Sequence, residues 1–260
     1  MQKANTRFLR KTTLLVFAPT LRYTFLMTRQ SAPASLQMVD WPRIDDVLLD
    51  MDGTLLDRHF DNFFFEEELP RRYANIHGLS FNTSRELLMG MYRSVEGELA
   101  WTDLHYWTSR VGIDVVAMHQ ELQQLMGFLP GAEDFLRAVR STGKRLTVLT
   151  NAHEAGIAVK SAKTGLASYV DRIVDAFEVG YLKMRPEYWP ACRSMVGFDP
   201  NRSLYVDDDE ACLLAAKEYG IGTIIHSAKS SSQLPAARSA NFMSVEHLPA
   251  LLNGSARRSA

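Results

Sequence analysis

The feature that most constrains this chain is the octet Asp50-Met51-Asp52-Gly53-Thr54-Leu55-Leu56-Asp57, entered from the short apolar run Asp46-Val47-Leu48-Leu49. The run has the length and composition of a buried strand bounded by turn chemistry. Two carboxylates two residues apart follow at its C-terminal end, and Gly53 behind them frees the backbone for a tight turn. In an open α/β sheet that edge is where ligands bind. A calcium loop is the competing reading of such acids. It wants glycine at its sixth position, whereas Gly53 would fall at the fourth, so that reading fails.

The rest of the chain supports a sheet of this kind. From about Arg58 to Phe128 no strand is convincing; apolar residues recur at helical spacing through Leu87, Leu88, Met91, Tyr92, Val95 and Leu99. This segment reads as a helical insertion, closed by Pro130-Gly131. A regular alternation follows: a helix over Glu133 to Arg140, a strand over Arg145 to Thr150, and a helix from Glu154 to near Gly165. Next come a strand over Arg172 to Asp175, a helix over Pro186 to Met195, and a strand over Ser203 to Asp207. A helix over Glu210 to Tyr219 and a strand over Gly222 to His226 complete the series. Strand and helix alternating in this way predict right-handed crossovers and a parallel sheet. The expected fold is therefore α/β, a Rossmann-like parallel sheet with helices on both faces. Its core is expected at residues 41–57 and 129–252, with an inserted α-helical cap at 58–128.

Parallel topology puts the C-terminal ends of all strands along one edge. There stand Asp50 and Asp52, then Thr150 and Asn151, then Asp207, Asp208 and Asp209, with Lys183 in the loop after the third strand. Taken singly, each has an ordinary explanation. Thr150 and Asn151 suit a helix cap, Lys183 a surface lysine, and the three consecutive acids a solvated turn before a helix. Their convergence asks for more. Carboxylates crowded in one cleft repel by about 4 kcal/mol per pair at a separation of roughly 4 Å and an effective dielectric of about 20. A bound cation relieves this, and an all-oxygen set selects a hard ion such as Mg²⁺, which also takes phosphate oxygens as ligands. Thr150, Lys183 and the Asn151 backbone N–H supply donors for such a phosphate. One carboxylate can attack phosphorus and the other can protonate the leaving alkoxide and then activate water. The chemistry expected is metal-dependent phosphoryl transfer to water.

These motifs resemble those of the haloacid dehalogenase-like superfamily of phosphohydrolases. The resemblance implies Asp50 as nucleophile and Asp52 as general acid/base, with Thr150 binding the phosphoryl group. It also implies Lys183 as the cation that offsets charge on the nucleophile, Asp208 as metal ligand with Asp207 a close second, and the Asp52 backbone carbonyl as a further ligand. A helical insertion directly after the first motif is similar to the subgroup with a C1-type cap. The stretches Leu56 to Phe64, Asp103 to Trp107, Leu149 to His153 and Gly180 to Lys183 resemble purine 5′-nucleotidases acting on GMP and IMP. There are departures. Cys212 stands where many relatives carry a further acid or asparagine, with Asp209 as a possible substitute, and Met184 takes the place of a proline. A phosphatase of phosphoglycolate or sugar phosphates is the alternative enzyme. A mutase stays formally open, and halide removal is disfavoured because that branch lacks the aspartate that Asp52 supplies. A non-catalytic binding protein on the same scaffold is the alternative of another class.

Composition bounds the remaining readings. A formal net charge of -1 offers no basic surface on which to argue nucleic-acid binding. Cys192 and Cys212 form neither a disulfide framework nor a metal-ligand spacing, which suits the cytosol. Seven histidines without ligand spacing argue against zinc. His153 is a candidate phosphate-side contact, and Trp101, Tyr106 and Trp107 are either packing residues or a stacking platform. The partner expected is a small phosphomonoester, with no stable membrane association. Residues 1–40 carry six basic residues and no acid before Asp40. They read as a disordered or targeting-like leader, with Met27 and Met38 as alternative starts. The last eight residues, 253–260, read as a flexible tail.

Overall fold

The computed structural model of this protein describes residues 39–252. Apart from Val39 and Asp40, the leader and tail expected from the sequence lie outside the described residues. In chain order, β1 is Asp46–Leu49, and five helices follow: α1 His59–Phe63, α2 Leu69–His77, α3 Phe81–Ser94, α4 Leu104–Val111 and α5 Val115–Glu121. Then come α6 Ala132–Arg140, β2 Arg145–Thr150, α7 Glu154–Thr164, β3 Arg172–Asp175, α8 Ala176–Val179 and α9 Tyr188–Val196. The order ends with β4 Ser203–Asp207, α10 Glu210–Tyr219, β5 Thr223–Ser227 and β6 Ser244–Val245.

The six strands form one sheet in the order β3-β2-β1-β4-β5-β6, with every pairing parallel. All four residues of β1 are buried, as expected of a central strand covered on both faces. Its period of two sorts them. Val47 and Leu49 join Val148, Val206 and Ile225 in one apolar layer, under Phe135, Leu136 and Val139 of α6. Leu48 joins Leu149, Val174 and Tyr205 in the other, under Trp189 and Cys192 of α9 and Leu213 and Ala216 of α10. The Rossmann-like architecture read from the sequence is the one observed.

Several local features differ from the sequence reading. The fifth strand begins at Thr223 rather than Gly222: the Gly222 N–H donates to the Pro200 carbonyl at 2.8 Å, ahead of the sheet pairing that starts at Thr223. The helix expected from Pro186 begins at Tyr188, with Pro186 in the preceding turn. The one-turn helix α8 and the two-residue strand β6 are too short to leave a periodic signal.

Helices α1 to α5 build an apolar cluster of their own from Phe60, Phe64, Leu88, Trp107, Val115 and Met118. Side-chain oxygens cap three of them: Ser80 accepts from the Thr83 N–H, Asp103 from His105 and Tyr106, and Asp114 from Ala117. Between α1 and α2 the chain makes one π-helical turn, Phe64–Glu68. Two strands of backbone join this segment to the sheet, and they pair with each other. The Asp57 N–H donates to the Gly127 carbonyl at 2.9 Å, and Leu129 donates to Leu55 at 2.9 Å. α7 packs on both the sheet and the helical segment: Ile157 against the former, Ala155 and Val159 against the latter.

Candidate active site

Register sets the geometry of the cleft. Leu49 lies opposite Val148 on one side and Val206 on the other, so Asp50 leaves the sheet level with Asp207, and Thr150 stands one residue further along on the other side. The Asp50 N–H donates to the Val206 carbonyl at 2.9 Å, which holds the chain in line for one residue beyond the strand. Gly53 then turns it with φ +96°. A side chain there is excluded twice over, by that backbone angle and by space. A Cβ on Gly53 would fall 2.6 Å from Asp208 Cγ and 2.7 Å from Arg58 Cδ.

Lys183 stands at the centre of the charges. Its Nζ lies 2.5 Å from Asp50 Oδ1 and 2.7 Å from Asp207 Oδ2, and the residue is 1% exposed. Burial works against its charge, but Asp207 and Asp50 more than offset this and hold the ammonium protonated well above its ordinary range. Asp207 is fully engaged. Oδ2 also accepts the Tyr205 hydroxyl, and Oδ1 accepts the Asp209 N–H at 2.8 Å. Asp208 accepts from Arg58 at 2.7 Å. Burial, opposed by Arg58, raises the Asp208 carboxyl to about 6. Burial likewise pushes Asp50 well above the ordinary carboxylate range, opposed by Lys183 and reinforced by Asp207 and Asp208.

Asp50, Asp207 and Asp208 each present an oxygen within 4.8 Å of the others. Asp50 Oδ2 is buried without a hydrogen-bond partner. An orphaned carboxylate oxygen in a crowded acidic cluster is what a hard divalent cation would satisfy, so these residues fit one.

Thr150 is buried, and its hydroxyl oxygen accepts the Ala152 N–H at 3.0 Å, which leaves its own proton free to donate. Asn151 lies three residues ahead of α7 rather than at its start. The cap of that helix is His153, whose Nδ1 accepts from Ala155 at 3.2 Å. The Asn151 side chain instead accepts the Lys183 backbone N–H at 2.9 Å, fixing the loop that carries the lysine. Asp209 caps α10 by accepting from Ala211. Cys212 is buried beside this group, its Sγ 4.0 Å from Asn151 Nδ2, and burial pushes its thiol well above the ordinary range.

Three residues with central positions were not singled out from the sequence. Lys160 of α7 reaches Asp52 Oδ1 at 2.7 Å and Asp61 Oδ1 at 2.7 Å. Burial raises the Asp52 carboxyl, Asp61 adds to this and Lys160 opposes it. Arg58 covers Asp208, as described. His119 is 2% exposed, and its Nδ1 donates to the Val115 carbonyl at 2.9 Å. Burial pushes it down to about 4, so the ring is neutral. Arg58 and Asp61 fall within a stretch that carried the family resemblance. Lys160 and His119 left no signal in the sequence.

The cleft has a cavity volume of about 430 Å³. Acids, Lys183 and Thr150 line its floor, and Phe65, Tyr92 and Trp101 of the helical segment line its roof. Trp107 is fully buried, donating from Nε1 to the Trp101 carbonyl at 2.9 Å, and Tyr106 packs on it edge to face; both are packing residues. His153 lines the cleft, with Nε2 3.6 Å from Asp103.

Comparison with known proteins agrees with this fold. A family model described as a haloacid dehalogenase-like hydrolase matches residues 44–220. The chain is 36% identical over 183 residues to the GMP/IMP nucleotidase YrfG of Escherichia coli (strain K12), covering 70% of this chain and 82% of that protein. It is 31% identical over 218 residues to a plasmid-encoded phosphoglycolate phosphatase of Cupriavidus necator, covering 79% of this chain and 92% of that one. Among solved structures, a haloacid dehalogenase-like phosphatase from Thermococcus onnurineus superposes with a TM-score of 0.69 at 20% identity, over 81% of this chain and 97% of the other.

Proposed function

This chain belongs to the haloacid dehalogenase-like hydrolases, and from that membership we propose that it is a Mg²⁺-dependent phosphomonoesterase whose substrates are purine nucleoside 5′-monophosphates. The observation that carries the chemistry is the buried Lys183, in contact with both Asp50 and Asp207, beside an Asp50 oxygen that has no partner.

Asp50 acts as the nucleophile. A carboxylate oxygen forms a bond to phosphorus as the bond from phosphorus to the ester oxygen breaks, giving an aspartyl-phosphate on Asp50. The ester oxygen leaves with its electron pair and takes a proton from the Asp52 carboxyl. Asp52, now a carboxylate, removes a proton from water as the water oxygen attacks phosphorus. The bond to Asp50 breaks, and inorganic phosphate departs. Lys183 offsets charge on Asp50 and on the phosphoryl oxygens through both steps, and the Thr150 hydroxyl and Asn151 backbone N–H donate to those oxygens. Asp50, Asp208 and the Asp52 carbonyl oxygen would hold Mg²⁺, with Asp207 beside them; the ion supplies further positive charge for the transferring phosphoryl group. The segment 58–128 serves as a cap that shields the cleft from water. Among the described residues no helix is long and apolar enough to cross a membrane; a cytosolic setting is our reading of the cysteine usage.

The nucleotide reading rests on the 36% identity to the nucleotidase and on the aromatic roof of the cleft. The second relative keeps phosphoglycolate open as the competing substrate. Phosphate release from GMP, IMP, AMP, phosphoglycolate and a hexose phosphate separates the two. A preference for GMP or IMP of tenfold or more in kcat/KM, about 1.4 kcal/mol, is expected. A preference for phosphoglycolate would replace the nucleotide reading. Activity that survives EDTA or Asp50→Asn would remove the mechanism, and no activity on any ester would favour a binding protein.

A further inference from the structure

Lys160 is 4% exposed, on a helix whose neighbouring Lys163 is exposed to solvent. It emerges from the face of α7 that meets the helical segment, one turn after Gly156, where an added Cβ would sit 3.5 Å from Leu104 Cδ1. Its ammonium lies 2.7 Å from Asp52 Oδ1, 2.7 and 3.0 Å from the two Asp61 oxygens, and 5.5 Å from the centre of the Phe60 ring. One cation thus joins three elements: α7 of the core, the turn after β1, and α1 of the helical segment.

Stability gives no reason for this arrangement. Desolvating three charges costs several kcal/mol per ion, and well-packed apolar side chains at such sites are commonly as stable or more so. What the cluster does provide is orientation. Lys160 donates to both Asp61 oxygens, and Asp52 Oδ1, which has no hydrogen-bond partner, has that ammonium as its charged neighbour in a close ion pair. Anchored on Asp61, the ammonium is fixed in place beside the Asp52 carboxyl and is not an unpaired buried charge.

On the reading of Asp52 as the acid that protonates the leaving oxygen, we propose that Lys160 is its positioning residue. It aims the Asp52 carboxyl at that oxygen and, through Asp61, makes the aim depend on α1 being seated against the core. Lys160 touches neither phosphorus nor the phosphoryl oxygens in this role; it acts through Asp52. Its contribution is therefore confined to substrates whose leaving group needs a proton.

That confinement supplies the test. Purified enzyme with Mg²⁺ is assayed on IMP, whose alkoxide is a poor leaving group, and on p-nitrophenyl phosphate, whose phenolate is a weak enough base to depart unprotonated. The quantity compared is kcat/KM, which covers the steps up to departure of the leaving group. Lys160→Met is expected to lower kcat/KM for IMP by about 100-fold and for p-nitrophenyl phosphate by less than about fivefold. Lys160→Arg, which keeps the charge and the reach, is expected to recover part of the loss on IMP. Asp61→Asn is expected to show the same selectivity at about tenfold on IMP, and decides the matter by the same ratio should Lys160→Met fail to fold. Equal losses on the two substrates, or no loss on either, overturn the positioning role while leaving the phosphatase reading intact. A wild-type enzyme that hydrolyses neither ester overturns both.

Discussion

Arg58 donates to Asp208 across 150 positions of sequence, at 2.7 Å, and so occupies an oxygen of an acid proposed to hold the metal ion. A divalent cation arriving at Asp50 and Asp208 meets a guanidinium already in place, and the two positive charges oppose one another. Arg58→Ala is therefore expected to tighten Mg²⁺ binding to substrate-free protein by at least about tenfold, roughly 1.4 kcal/mol, measured by titration calorimetry. Unchanged or weaker affinity would mean that Arg58 and the cation do not compete.

Gly53 leaves no room for a methyl group between Asp208 and Arg58 and also has a left-handed backbone. Gly53→Ala is expected to lose about 1–3 kcal/mol of stability from the backbone alone. Because the displaced group is Asp208, phosphatase activity should fall at least about 100-fold, beyond what lost stability explains. Thermal melting alongside the phosphate-release assay separates the two effects. A folded, fully active variant would contradict the close packing.

His119 offers a test by pH. Its folded value is pushed by burial to about 4 from an ordinary 6.5. Between those values the unfolded chain takes up a proton that the folded protein refuses. The stability this neutral ring preserves is thus complete above pH 6.5 and is lost as pH falls toward 4, by about 3 kcal/mol in all. Urea unfolding at a series of pH values in this window should give a steeper loss for wild type than for His119→Leu. Parallel curves would show that the ring takes up its proton in the folded state.

Tyr205→Phe removes one of the three donors to Asp207 and leaves Lys183 and the Asp209 N–H in place. The expected cost is about 1 kcal/mol of unfolding free energy, with kcat/KM within about tenfold of wild type. Loss of activity as large as that of an Asp50 variant would move Tyr205 from a supporting position into the chemistry itself.

The floor of the cleft was legible in the sequence because parallel strands must all end at one edge. Asp50, Thr150 and Asp207 could be placed together from their strands alone, and Lys183 from the connection after β3, in which the structure adds the short α8. Lys160 could not. Its helix carries Lys160 and Lys163 in similar surroundings of sequence, and which of the two is buried depends on how α7 meets α1 and α4, a non-local matter. Asn151 was misread in detail for a related reason. Its side chain bonds backbone 32 positions away at Lys183, whereas helix-capping rules consider only near neighbours. His119 was invisible because its neutrality comes from Phe60, Phe64 and Phe65 packed around it.

The strand order also bears on how the molecule is made. β1 leaves the ribosome first of the six, yet its two neighbours are β2, which follows almost a hundred residues later, and β4, which closes with Asp207. Until both have emerged, three apolar residues and two bare hydrogen-bonding edges wait without partners. A nascent chain halted before residue 203 would therefore hold its first acidic motif on an unfinished sheet, more prone to stick to its neighbours than to retain a fraction of the finished enzyme's activity.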